Sequence, residues 1–197
     1  MKSSLMIAVL TLGLCAFPQA AMAQHKFVVT ALAERKVATL PPGPLYWRIE
    51  NFTSLGQAKA AAGPWALAAE SAGKAWLFTL GPRGGASPGG TRVAEVGPIA
   101  RVDAHAYLLR INAANGPPGA TTPVHSHPGS EAFYVIAGET TARTADGVMR
   151  VAAGRSEPGH APGTPMQVSS TGTQDLQSLL MFVVDADKPF SSPARLP

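Results

Sequence analysis

The chain is poor in cysteine, in charge and in aromatic side chains. Its 197 residues include one cysteine, Cys15, so no intrachain disulfide framework and no thiolate metal cage can form. Charged residues make up only 14%, and the net charge of +4 is scattered, with nothing more basic than Glu34-Arg35-Lys36. Nucleic-acid recognition needs a concentrated basic face, and none is present. No apolar run reaches the roughly 20 residues that span a bilayer. No G-x-S-x-G elbow is present for a serine nucleophile. The pairs Gly84-Gly85 and Gly89-Gly90 lack the following Lys and helix of a phosphate-binding loop. The three tryptophans, Trp47, Trp65 and Trp76, all fall in the first half and read as core anchors.

What is abundant is turn chemistry, with 20 Gly and 18 Pro. These residues cut the chain into short β-branched and aromatic runs, the pattern of an all-β sandwich or barrel. Strands are expected at 45–52, 65–70, 74–80, 92–96, 104–112, 132–137, 140–144, 148–152, 166–169 and 176–184. Asp146-Gly147 marks a hairpin. One helix is expected over 54–62, with Ser54 as N-cap and Gly63-Pro64 as its stop. Residues 81–91 read as a mobile Gly/Pro loop. Residues 26–33 are an apolar run, readable as a strand or as an arm.

The N-terminus has the organisation of an export signal. Lys2 is followed by an apolar stretch from Leu5 to Phe17, and Ala21-Met22-Ala23 is a small-x-small cleavage site. The mature chain then begins at Gln24, in the periplasm or outside the cell, with no membrane anchor and no cysteine left.

The richest stretch is Gly119–Gly138. His125 and His127 stand one residue apart, so on a strand their imidazoles share a face. Pro128, Gly129 and Ser130 form a turn. Glu131 returns on the next strand, sharing its face with Phe133 and Val135. Two imidazoles and a carboxylate aimed at one point suit Fe, Mn, Zn, Ni or Cu.

This run resembles the first motif of the cupin superfamily, G-x5-H-x-H-x3-4-E-x6-G, at Gly119, His125, His127, Glu131 and Gly138. The resemblance implies a double-stranded β-helix, or jelly-roll barrel, with a small-molecule or metal site inside, and a homodimer formed through sheet edges or by exchange of the 26–33 arm. The family's second motif supplies a further histidine. Here Gly154 and Gly163 fit, but Met166 takes the histidine position and Ser170 that of an asparagine. Three readings of Met166 follow: an apolar wall beside a three-ligand site, a thioether ligand for copper, or a mark that metal binding has lapsed. His160, in a Pro-Gly loop, can be a replacement ligand or a solvated residue. His105, on the 104–112 strand, can line the cavity or be structural.

The resulting organisation is a signal peptide (1–23), an N-terminal extension (24–91), a cupin barrel (92–186) and a flexible tail (187–197). The extension either adds strands to the barrel, covers its mouth or is half of a degenerate second barrel. Two functions are carried forward. One is an exported metal-dependent oxygenase or isomerase, with a divalent metal on His125, His127 and Glu131, and Glu131 also serving as base. The other is a non-catalytic small-molecule or metal-binding barrel with a degenerate metal site. Phe133, Met166, His105 and His160 are the further pocket candidates.

Overall fold

A computed structural model describes residues 26–197; the leader and its cleavage site lie outside the described residues. In chain order the first half holds β1 (Val28–Val37), β2 (Leu45–Phe52), α1 (Leu55–Ala60), β3 (Ala66–Ser71), β4 (Lys74–Gly81) and β5 (Thr91–Ile99). The second half holds β6 (Tyr107–Gly116), β7 (His125–Ser126), β8 (Gly129–Ala137), β9 (Glu139–Thr144), β10 (Gly147–Ala152), β11 (Ser156–Glu157), β12 (Gln167–Ser170), β13 (Leu176–Asp185) and β14 (Ser192–Pro193). Among the described residues no helix is long and apolar enough to cross a membrane.

Two sheets build a jelly-roll barrel. One runs β1-β6-β13-β8-β11 and the other β10-β9-β12. Alternation along each strand sorts the side chains. Phe133, Val135, Leu176, Leu180, Phe182, Met166 and Val168 fill the barrel interior. Leu109, Ile111, Ala132, Tyr134, Leu179, Met181 and Val183 point the other way, out of the barrel, yet are buried. The reason is a third sheet, β3-β4-β2-β5, that packs on this outer face with Trp47, Ile49, Trp76, Phe78 and Leu80. β8 and β13 are therefore apolar on both sides, as strands covered on both faces must be. Each fully buried large side chain in this seam contributes roughly 1.5–3 kcal/mol.

The N-terminal extension thus acts in two ways. β1 extends the barrel sheet along β6, with Val37 opposite Tyr107 and Val28 opposite Asn115. Residues 45–99 form the separate sheet against the barrel's back, so they neither cover its mouth nor form a second barrel. The expected barrel start at residue 92 is corrected: β5 pairs with β2, and the barrel sheet takes its next strand only at Tyr107. Local composition cannot tell which sheet a strand joins.

Local signals held closely. Ser54 caps α1, its hydroxyl accepting from the Gln57 N–H at 3.3 Å. Ala72 and Gly73 make the β3–β4 turn with φ of 50° and 69°. Gly119 and Gly138, the outer glycines of the histidine motif, take φ of 86° and 72°, where a side chain is strained.

The 81–91 loop is pinned, not mobile. The Glu50 carboxylate lies beneath it and accepts from the Ser87 N–H (2.9 Å), the Ser87 hydroxyl (2.7 Å) and Arg48 Nε (3.0 Å). Gly84 N–H donates to Glu95 at 2.8 Å. Glu50 and Arg48, more than thirty residues distant from Ser87, supply most of this order, so a local reading of Gly and Pro misses it.

Candidate functional site

The mouth of the barrel holds a cavity of about 390 Å³. Its walls are mostly apolar: Val124, Val168, Leu180, Phe182 and Phe190 surround it, with Phe27 and Val29 from the arm. His125, His127 and Glu131 all reach this one space, as their strand parity requires. The two imidazoles lie 5.0 Å apart, centre to centre, nearly perpendicular.

Each imidazole is held by a backbone carbonyl. His125 Nδ1 lies 2.9 Å from the Pro123 oxygen, and His127 Nδ1 lies 2.7 Å from the Phe190 oxygen. A carbonyl only accepts, so in the neutral rings Nδ1 carries the proton and Nε2 keeps its lone pair. His127 is also packed between aromatic rings, Phe182 at 4.9 Å and Phe190 at 4.8 Å. Burial, chiefly, with the nearby His125 and Arg110 charges, pushes its pKa down to about 4. Glu131 is 2% exposed, and one of its carboxylate oxygens has no hydrogen-bond partner. Burial pushes its pKa up to about 8. Near neutral pH the site therefore presents an uncharged acid, Glu131, and an uncharged imidazole, His127, in an apolar cavity.

The donor set has the chemistry of a metal site: two imidazole lone pairs and an unpartnered carboxylate oxygen. The geometry does not close it. Among the described residues, no three His, Cys, Asp or Glu side chains lie close enough together to hold a metal ion. Met166 adds no donor at the cavity wall. Its backbone pairs with His125 in both directions, at 2.9 and 2.8 Å, while its side chain packs in the barrel core. Of the three readings of Met166, the apolar one describes its surroundings. Phe133 likewise sits in the core beneath the cavity.

His105 does not belong to the site. β6 begins only at Tyr107, where pairing with β1 and β13 starts, which leaves His105 exposed in the preceding loop. His160 is neither ligand nor fully solvated. Its ring meets Phe133 edge-on at 6.4 Å, and its buried Nε2 lacks a partner. Arg110 faces the barrel's inner side, bonded to Asn112 at 2.9 Å, with its guanidinium 4.3 Å from the Phe190 ring.

The part of the site that local sequence reading missed is the tail. Residues 187–197 are not loose. They cross the mouth, β14 pairs with β7, and Phe190, Ser191 and Pro193 line the cavity. The available signal was Phe190, the sole aromatic between Asp185 and Pro197.

Residues 115–181 match the family described as cupin domain. The chain carries a cupin domain. The match spans the motif strands β7 and β8 and most of the barrel; the β2–β5 sheet and the closing tail lie outside it. No curated protein matches the chain. Solved structures similar to it include the DMSP lyase DddQ from Ruegeria pomeroyi, 22% identical over 44% of this chain and 43% of that one, with a TM-score of 0.38. The polyketide cyclase RemF from Streptomyces resistomycificus is 19% identical over 45% and 62%, with a TM-score of 0.37. A protein with a double-stranded β-helix domain from Klebsiella pneumoniae is 20% identical over 44% and 75%, with a TM-score of 0.38. The chain spans less than half the length of the DMSP lyases it resembles.

Proposed function

We propose that this cupin domain binds a small, uncharged, mainly apolar organic molecule in the barrel mouth and holds its one polar group among His125, His127 and Glu131. The observation that carries this reading is the single cavity of about 390 Å³ in which apolar walls meet three polar ends. Pockets of this size and make-up are those of small-molecule sites. The polar ends are chemically complementary. Protonated Glu131 donates, and the imidazole Nε2 atoms accept. A carbonyl or hydroxyl in the cavity therefore finds both partners, and the same pair can pass a proton to and from the bound molecule.

The test is titration of the protein with N-phenyl-1-naphthylamine, a neutral apolar fluorophore that fits the volume. We expect saturable binding, abolished by Val168→Trp, which fills the cavity, and weakened about tenfold or more by His127→Ala. If V168W binds as well as the wild type, the molecule sits elsewhere and the reading fails.

A second reading is capture of a divalent metal by the same three residues. It is favoured by the two carbonyl-anchored imidazoles, each with Nε2 free, and by the unpartnered Glu131 oxygen. A metal bound there would act as a Lewis acid toward the occupant of the cavity. Elemental analysis of protein purified without added metal tests it: a stoichiometric metal lost in the His125→Ala, His127→Ala double variant supports it, and a metal-free protein removes it. Export belongs to the proposal as well. Mass spectrometry of chain recovered outside the cytoplasm should find an N-terminus at Gln24.

A further inference from the structure

We propose that residues 188–194 are a removable strap whose lifting controls access to His127, with Phe190 as its latch. The functional reading above gives this movement its purpose; the geometry stands without it.

The strap separates two cavities that share one histidine. On one side lies the apolar cavity already described. On the other lies a polar one of about 420 Å³, lined by Asp103, Pro162, Asp185 and Lys188. His127 borders both, yet it is only 5% exposed, because residues 188–193 cross between them. With the strap raised, the two spaces become one cleft with His127 at its centre.

Its attachments are few. The ladder between β14 and β7 is two residues long, Ser192 with Ser126 and Pro193 with His125. Beyond it, the Ala194 N–H donates to Val124 at 3.1 Å. Pro189 and Pro193 have no N–H to contribute. From Asp187 to Pro193 every residue is exposed except Phe190. Phe190 therefore carries the closure. Its ring lies 5.0 Å from Phe182 and 4.8 Å from His127, Arg110 stacks on it, and its carbonyl accepts a hydrogen bond from His127 Nδ1. One aromatic anchor and two strand pairs, set against ten-residue β13 immediately before them, make this a segment that opens locally far more readily than the barrel unfolds. The root stays fixed, since Asp185 holds Lys188 at 3.0 Å and caps the Asp187 N–H at 3.0 Å.

The test locks and unlocks the strap. Ser126 and Ser192 are cross-strand partners, within the Cα spacing a disulfide accepts. A full-length Ser126→Cys, Ser192→Cys variant, with Cys15→Ser to remove the competing thiol, is compared with wild type, Phe190→Ala and a chain ending at Lys188. The readout is the rate at which diethyl pyrocarbonate modifies His127, read by peptide mass spectrometry, with exposed His105 as internal control. We expect the oxidised variant to react at least tenfold more slowly than wild type, and Phe190→Ala and the shortened chain at least fivefold faster. Far-UV circular dichroism confirms that each variant is folded. Equal His127 rates in locked, wild-type and shortened chains overturn the proposal. Should the shortened chain not fold, the locked and Phe190→Ala variants decide alone. In a parallel arm, N-phenyl-1-naphthylamine binding should be slower in the oxidised variant. Failure of that fluorophore to bind any variant counts against the binding reading and leaves the strap result intact.

Discussion

Two buried carboxylates, one in each half of the molecule, are handled in opposite ways. Glu50, in the β2–β5 sheet, is pushed upward by burial, but the Ser87 hydrogen bonds and the Arg48 guanidinium outweigh that and hold it below its ordinary value. Each of its two oxygens accepts a hydrogen bond from Ser87. Glu131, in the cupin barrel, has no such partners and stays uncharged near neutrality. A buried polar group that is fully paired organises structure. One left unpaired at the end of a cavity costs stability, and it makes sense as a group kept for a ligand. The contrast separates a sheet whose buried carboxylate is spent on structure from a barrel whose buried carboxylate is left open to a cavity.

The sharpest way to break this comparison is Glu50→Ala. It strands Arg48 and the Ser87 N–H, so unfolding in urea should show a loss of about 3–5 kcal/mol, as removal of one partner from a buried ionic cluster does. A loss below ~1 kcal/mol would mean that the loop is not anchored there.

Glu131→Gln should act in the opposite sense, and only at high pH. The folded value near 8 lies above the ordinary 4.5, so the native state keeps the proton longer than the unfolded chain does. The contribution is full below pH 4.5 and is lost as pH rises toward 8. At ~1.4 kcal/mol per pKa unit, wild type should lose on the order of 3–4 kcal/mol relative to Glu131→Gln between pH 5 and 8.5. Urea melts with a chelator present, so that no cation holds the carboxylate ionised, give the number. His127 works on the acid side. Its folded value near 4 lies below the ordinary 6.5, so stability falls as pH drops from 6.5 to 4, in wild type and Glu131→Gln alike.

Phe190→Ala is a smaller change. The ring is half-buried, so about 1–2 kcal/mol is expected, together with a rise in His127 reactivity. The smallest effect is Ser54→Ala, which removes one capping bond and should cost ~1 kcal/mol or less, with no change at the barrel. A shift in cavity binding on Ser54→Ala would show that the two halves are coupled more tightly than their shared seam implies.

The histidine motif was legible because it is local. A period of two places His125 and His127 on one side, and a short turn brings Glu131 back to it, whatever the rest of the chain does. The strand list and the capped helix were legible for the same reason. The hairpin after β9 was found, but its two-residue loop is Ala145–Asp146, with Gly147 already in β10. The failures were non-local. Residue 92 resembles a barrel start because β5 has the composition of any strand, and its partner, Glu50 of β2, is more than forty residues earlier. The 81–91 loop and the tail were read as free because Gly, Pro and Ser dominate them. Their order comes from Glu50 in one case and from His127 and β7 in the other.

Sequence alone determined the alternation of turn and strand, the glycines at positive φ and the shared face of three polar side chains, since each follows from geometry within a few residues. Only the tertiary structure decided that these side chains share a cavity without closing into a metal cage. It alone seated Met166 in the core, backed the barrel with a second sheet and drew Phe190 across the mouth. Those outcomes depend on how distant segments compete for the same buried surface, and that competition has no signature in any one of them.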